Sequence, residues 1–272
     1  MSKRLDYNAI VIQKIEINPE LIILRVAPDG ELFDFKPGQH TVLGVKQEEP
    51  RISSAKPQNL EDNKGSERLI YQAYSIASSG LERGHVDFYV NFVEDSEFSR
   101  CLFNLKVGDR VFLGRKATGF FTLDQVPPRK HLLLVATGTG IAPFISMART
   151  LFRCNGSRVF VLIHGVSRSR DLGYHDELSS LMSRCRNLKY FPTVSRPNED
   201  PDWNSFKGYV QSVIQSGVIE EQTGMEITPE NFDVFLCGNP DMIRDVTRMM
   251  EGRGFGKGSC RYPGTIHTEE CG

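Results

Sequence analysis

The chain has few cysteines, and none are spaced as C-x-x-C. Six occur in 272 residues, at positions 101, 154, 185, 237, 260 and 271. Zinc ribbons and thioredoxin-like redox motifs need closely paired cysteines, and iron–sulfur centres need fixed runs of them, so all three are disfavoured. The ordinary reading is a set of reduced thiols. No apolar run approaches the ~20 residues of a membrane span. The start, Met1-Ser2-Lys3-Arg4-Leu5-Asp6, has no apolar export signal, so a cytoplasmic location is expected. Neither sign of charge dominates: 33 Lys and Arg stand against 34 Asp and Glu, for a net charge of −1. Bulk attraction to nucleic acid or to a membrane surface is therefore disfavoured, and a charged partner would have to meet a local patch.

The composition is ordinary for a globular protein, at 39% hydrophobic and 25% charged, and the length suits two domains. The first half reads as strands. Residues 9–17, 21–27, 41–45 and 111–113 are apolar or alternating, and 85–92 alternate with apolar residues at even positions. Several short strands with Gly and Pro turns suggest a small antiparallel barrel. One helix is expected over 96–105, capped by Ser96, with Phe98, Leu102 and Leu105 on one face. The polar stretch 47–68 reads as a surface loop. After Pro127-Pro128 the pattern changes. Strands at 131–135, 158–164, 188–194 and 233–237 alternate with helices at 141–152, 175–186 and 241–250. That alternation implies a parallel, doubly wound sheet covered by helices. The expected domains are 1–126 and 127–272.

Three runs carry chemistry. Thr137-Gly138-Thr139-Gly140 sits where a buried strand turns into a helix. Glycines there let backbone approach a pyrophosphate, and the helix start offers unpaired N–H groups. The run lacks a third glycine, and a tight strand-to-helix turn is its plain alternative. Tyr74-Ser75 ends a strand: a tyrosine can stack on a planar ring and a serine hydroxyl can reach a ring nitrogen. Cys237 closes an apolar strand before Gly238-Asn239-Pro240, a turn that can open a helix. It reads either as a core cysteine or as a small polarizable group beside a nicotinamide. Arg168, Arg170, Ser195 and Arg196 follow two strands at the expected carboxyl edge, where arginines and hydroxyls suit a phosphate.

Taken together, these runs and the text between them (Lys36-Pro37-Gly38-Gln39, Leu105 to Asp109, Gly119 to Asp124, Arg261 to Gly264) resemble the ferredoxin–NADP⁺ reductase family of compact bacterial type. The resemblance implies an FAD-binding antiparallel barrel followed by an NADP-binding α/β domain. It implies hydride transfer between NADP(H) and FAD, with single electrons passed to or from a ferredoxin or flavodoxin. A flavin reductase component of an oxygenase, using NAD(P)H, and a non-catalytic flavin-binding subunit are the alternatives. A monomer is expected.

The resemblance also carries site residues. Tyr74 and Ser75 would meet the flavin ring, with Ile76, Ala77 and Ser78 continuing that wall, and Gln72 and Ala73 count among the cofactor-binding residues. Tyr89, Val90 and Asn91 match the strand lining the FAD. Glu97, Phe98 and Ser99 match its pyrophosphate turn, and Thr118 joins the flavin set. Thr137 to Gly140 would meet the NADP pyrophosphate, and Cys237 to Pro240 would border the nicotinamide. Glu269 is a candidate for proton handling, a solvated carboxylate being its plain alternative. Tyr74, Ser75, Cys237 and Glu269 are thus the catalytic candidates.

Three departures from the family pattern stand out. The arginine of its R-x-Y-S motif is Gln72 here, so either Arg115 or Lys116 compensates or FAD is bound more loosely. In the 2′-phosphate pocket, Arg168 is displaced by one position, Ser167 occupying the usual site, and Tyr209 stands where a basic residue is common. At the C-terminus, Cys271 and Gly272 replace the aromatic that caps the flavin in many relatives. Arg248, Arg253, Lys257 and Arg261 read either as a docking patch for an acidic carrier or as dispersed solvent-facing charge.

Overall fold

Alternating apolar residues and a two-residue turn build the first hairpin. Strands β1 (Ala9–Asn18) and β2 (Leu21–Pro28) pair antiparallel with Asn18 opposite Leu21, and the Asn18 side chain accepts from Glu20 N at 2.9 Å to close the turn. The computed structural model describes residues 6–47, 68–154, 156–258 and 264–270. The stretch expected as a loop at 47–68 lies almost wholly outside them, as do Cys260, Arg261 to Pro263, Cys271 and Gly272. Strands β3 (His40–Gln47), β4 (Arg68–Ser75), β5 (Val86–Asn91) and β6 (Arg110–Leu113) complete a six-stranded antiparallel sheet in the order β4-β3-β6-β1-β2-β5. Its two edges meet through a bridge between Ile76 and Phe88, which curls the sheet around Leu24, Leu43, Phe88, Leu102 and Leu113. Helix α1 (Glu97–Asn104) plugs this core with Phe98 and Leu102, and the Ser96 hydroxyl caps it by accepting from Ser99 N at 3.2 Å.

The second sheet is parallel. Strands β7 (His131–Thr137), β8 (Phe160–Val166), β9 (Leu188–Val194), β10 (Phe206–Lys207), β11 (Phe232–Gly238) and β12 (Ile266–Glu270) take the order β10-β9-β8-β7-β11-β12. Even-numbered residues such as Leu132, Leu134, Phe160 and Leu162 face α2 (Ala142–Leu151) and α3 (His175–Arg184). Odd-numbered Leu133, Val135, Val161 and Ile163 face α4 (Val210–Gln215), α5 (Val218–Thr223) and α6 (Pro240–Glu251). Strands buried on both faces read as continuous apolar runs. The strand expected at 158–164 lies two residues further on, and a 3-10 turn over Gly138–Ile141 precedes α2.

One expectation is corrected. Cys154 and Cys185 form a disulfide, with Cα atoms 4.6 Å apart, and are not the reduced thiols expected. The Asn187 amide brings them together: it donates to the carbonyls of Arg153, Gly156 and Arg158 at 2.9, 3.1 and 3.0 Å, folding the end of α2 against the end of α3.

The two sheets are joined by a buried polar clamp. Asp87 of β5 takes a bidentate pair from Arg25 at 2.7 and 3.0 Å, and Arg149 of α2 reaches it at 3.2 Å. Arg149 also donates to the Ala77 carbonyl at 3.1 Å and pairs with Glu177 of α3 at 2.7 Å. This explains a departure from the alternation in β5, where residues 86 to 90 are all buried. The face holding Asp87 and Tyr89 is covered by the second domain. Tyr89 donates to the Asp171 carbonyl at 3.1 Å and accepts from Gly173 N at 2.9 Å. Replacing Arg149 by Met leaves part of a buried carboxylate uncompensated and is expected to cost about 3 kcal/mol in urea unfolding. A loss below about 1 kcal/mol, typical of an exposed pair, overturns that estimate.

Candidate functional site

The carboxyl ends of β7, β8, β9 and β11 open into a cavity of about 1040 Å³. Thr137, Gly138 and Thr139 line it, with Arg168, Ser195, Arg196, Gly238, Asn239 and Pro240. Two glycines make this edge possible. A side chain at Gly140 would lie 2.6 Å from the Cys237 carbonyl carbon and 2.7 Å from Gly238 Cα. Gly238 has φ +130 and a Cβ there would come within 2.7 Å of the Thr137 carbonyl oxygen. Thr137 Oγ1 accepts from Asn239 N at 2.8 Å, and the Asn239 side chain caps α6 by accepting from Asp241 N at 2.8 Å. The cradle of closely packed glycine backbone, with hydroxyls and arginines at its rim, fits a dinucleotide phosphate chain. Arg170 does not line this cavity; its side chain lies 3.9 Å from Asp171.

His164 of β8 supports the glycine turn from below. It is fully buried, and its neutral Nε2–H donates to the Gly138 carbonyl at 3.0 Å. Its Nδ1 has no hydrogen-bond partner among the described residues. Burial pushes its pKa down to about 4. The unfolded chain, with an ordinary histidine near 6.5, therefore binds more protons between these values, and stability rises with pH across that window. Its contribution is full above pH 6.5 and is lost as pH falls toward 4, a swing of about 3 kcal/mol. His164→Gln should flatten that limb of a stability–pH curve; an unchanged slope sinks the assignment.

The loops beyond β8 and β9 carry the arginines. Arg168 Nε donates to Glu199 Oε2 at 2.9 Å, and Arg196 lies 3.7 Å from Glu199 Oε1. Ser195 Oγ donates to the Val166 carbonyl at 3.2 Å.

A second group of candidates meets at the barrel edge. Ser75, the last residue of β4, donates to Glu269 Oε1 of β12 at 2.9 Å, across 194 residues of sequence. His40, opposite Ser75 in β3, lies 3.9 Å from Glu269 Oε2 and 3.0 Å from the Thr118 hydroxyl. Glu269 is in register with Cys237, which is wholly buried. Ser75, Glu269 and Cys237 thus gather where the two sheets meet. Glu269 is not the solvated carboxylate of its plain alternative: its side chain is 19% exposed. Burial raises its pKa, opposed by the Ser75 hydrogen bond and by His40. A hydroxyl joined to a proton-hungry carboxylate can hold or move a proton at Ser75 Oγ. Burial likewise pushes the Tyr74 hydroxyl up to about 12, so it stays protonated and able to donate. The donor set of Tyr74, Ser75, Gln72 and Thr118 along one barrel edge fits a planar, polar ring.

Other candidates lie apart. Ile76, Ala77 and Ser78 are buried: Ile76 packs in the barrel core, while Ala77 packs against α2 and the Ser78 carbonyl accepts from Ser146 Oγ at 2.7 Å. Ala73 is exposed and Gln72 half-buried. Tyr89 faces the second domain, Val90 the barrel core, and Asn91 the large cavity. Glu97, Phe98 and Ser99 open α1, with Phe98 stacked on Tyr74 at 6.1 Å. Arg115 and Lys116 are exposed just beyond β6, one strand removed from Gln72, whose partner Leu43 pairs with Leu113. Arg248 and Lys257 are exposed, while Arg253 pairs with Glu220 at 3.1 Å. Three members of these clusters, His40, His164 and Glu199, carry no motif of their own. Only for His40 was a signal present, since it directly follows Lys36-Pro37-Gly38-Gln39.

Comparison with known proteins agrees with this geometry. Residues 134–248 match the oxidoreductase NAD-binding domain family. The chain is 30% identical over 246 residues to the flavodoxin/ferredoxin–NADP reductase of Buchnera aphidicola subsp. Schizaphis graminum, covering 90% of this chain and 89% of that one. It is 31% identical over 198 residues to the ferredoxin–NADP reductase of Azotobacter vinelandii, covering 69% and 74%. A crystal structure of a ferredoxin NADP⁺ reductase from Neisseria gonorrhoeae with bound FAD and NADP superimposes with TM-score 0.80 at 25% identity, over 97% of each chain.

Proposed function

Because the chain belongs to the flavodoxin/ferredoxin–NADP reductase family, we propose that it transfers hydride between NADP(H) and FAD and passes single electrons to or from a ferredoxin or flavodoxin. The observation that carries the proposal is the hydrogen bond from Ser75 of the barrel to Glu269 of the α/β domain, in register with Cys237 at the end of β11. It joins the residue matched to the flavin ring with β12, the strand paired to β11, whose end is matched to the nicotinamide. On this reading residues 1–126 hold FAD and 127–272 hold NADP. FAD, when bound, takes hydride as a pair of electrons and gives electrons up one at a time.

The protein's own part is positional. Gly138, Gly140 and Gly238 let backbone N–H groups approach the nucleotide phosphates. Tyr74 offers an aromatic face and a protonated hydroxyl. Ser75 and Glu269 hold a proton beside the reacting ring. With no cation at Gln72, the FAD pyrophosphate relies on the start of α1 and on Arg115 or Lys116. Arg248 and Lys257 offer positive charge to an acidic carrier. The reading includes a monomer in the cytoplasm; no described helix is long and apolar enough to cross a membrane.

The test is an absorption spectrum of the purified protein followed by anaerobic titration with NADPH. A flavin band that bleaches with about one equivalent per flavin is expected, since hydride carries both electrons. Absence of a flavin, or a band that NADPH leaves unchanged, overturns the proposal. Cytochrome c reduction that needs added ferredoxin then separates this reading from a carrier-independent flavin reductase.

A further inference from the structure

Two loops bring three charged side chains together at the rim of the nucleotide cavity. Arg168 follows β8, Arg196 follows β9, and both line the cavity. Glu199 ends the short 3-10 turn Pro197–Glu199, which folds its carboxylate back between them. Oε2 accepts from Arg168 Nε at 2.9 Å and from its Nη2 as well, while Oε1 lies 3.7 Å from Arg196 Nη1. A guanidinium presents the same planar fork of donors to a carboxylate and to a phosphate. The Arg168 fork that a 2′-phosphate would need is therefore already engaged, and Arg196 lies within ion-pair distance of the same carboxylate. Two further carboxylates fix the loop in place: Asp171 accepts from Arg168 N at 3.1 Å and Asp200 from Ser169 N at 2.5 Å. Glu20, Asp241 and Asp245 line the same cavity and add no positive field.

We propose that Glu199 is the specificity-determining residue of this pocket. Its carboxylate stands in for the 2′-phosphate on Arg168 and Arg196, so the chain accepts NADH beside NADPH and selects the phosphorylated nucleotide only weakly. The inference rests on the nucleotide reading above. NADPH must break the Glu199 pairs to make its own, whereas NADH leaves them intact. The pairs are breakable because they are partly solvated, with side-chain exposures of 28% for Arg168 and 48% for Glu199. Tyr209, where the family commonly places a basic residue, supplies no replacement cation.

The test is calorimetric titration of the purified protein with adenosine 2′,5′-bisphosphate and with 5′-AMP, at one fixed salt concentration. The parent protein should bind the two within about tenfold of each other. Glu199→Gln should tighten the bisphosphate by about tenfold, the effect of one freed charge-assisted contact, and leave AMP unchanged. Glu199→Ala should move the ratio in the same direction. The NADPH-to-NADH ratio of kcat/KM should rise by the same factor. A ratio unchanged in both variants, with both nucleotides still bound, overturns the inference and leaves the nucleotide reading standing. Failure of every protein to bind either nucleotide overturns the nucleotide reading, and the inference with it.

Discussion

Gly140→Val is expected to abolish reduction of the flavin by NADPH while leaving the flavin bound. The added side chain would enter the space held by Cys237 and Gly238, 2.6 to 2.7 Å from their backbone atoms. Those atoms cannot retreat without opening the β7–β11 ladder, in which Cys237 pairs with Ala136 and Leu236 with Val135. Overpacking against rigid backbone costs about 3 kcal/mol or more, which taken from nucleotide binding is a loss above about 100-fold in kcat/KM. Gly138 provides the contrast. Its φ of +52 carries strain for other residues, but a Cβ there meets nothing within 4 Å. Gly138→Ala should therefore cost only the ~1–2 kcal/mol of a left-handed residue. Stopped-flow reduction, with the flavin-to-protein ratio measured on the same samples, checks both. A Gly140→Val protein that keeps its rate within about tenfold overturns the first prediction.

Loss of the Ser75 hydroxyl is expected to slow hydride transfer by about 100-fold, within the range of a positioned proton-transfer group. The hydroxyl sits 2.9 Å from Glu269, and no other described side chain hydrogen-bonds to that carboxylate. Glu269→Gln keeps an acceptor for Ser75 but cannot take a proton. It should slow the step less and remove its dependence on pH above the ordinary carboxylate range. The sign for stability follows from the raised pKa. The folded state holds the Glu269 proton more tightly than the unfolded chain, so this contribution is full in acid. It is lost as pH rises through the raised value. The Gln variant should thus be at least as stable as the parent at pH 8. Urea unfolding at pH 5 and pH 8 gives the comparison; a variant clearly weaker at pH 8 refutes the account. Ser75→Ala with an unchanged rate would remove the pair from the mechanism.

Much of the fold was legible because its signals are local. The period-two pattern marked the barrel strands, continuous apolar runs marked strands buried on both faces, and Ser96 marked the start of α1. Boundaries shifted by a residue or two where a strand or 3-10 turn continued past the apolar run, as at Phe160–Val166 and Gly138–Ile141. The small residues Ala77 and Ser78 signalled a close approach, and the sequence did not show that helix α2 is one of the elements that approaches them. Arg149, unmarked by any motif, is a clamp only because α2 docks on β5.

Sequence by itself determined two grammars in a fixed order, a glycine turn at a strand end, a Tyr-Ser pair at another, and a balanced surface charge. Those properties depend on residues a few positions apart, where backbone periodicity and turn chemistry act. Tertiary structure alone decided that Ser75 meets Glu269, that Asp87 is buried between domains, that Cys154 bonds Cys185, and that Glu199 holds Arg168. Each joins residues that chain proximity does not relate, and each follows from strand order and domain docking. Burial then gives those meetings their chemistry, raising the Glu269 pKa and lowering that of His164.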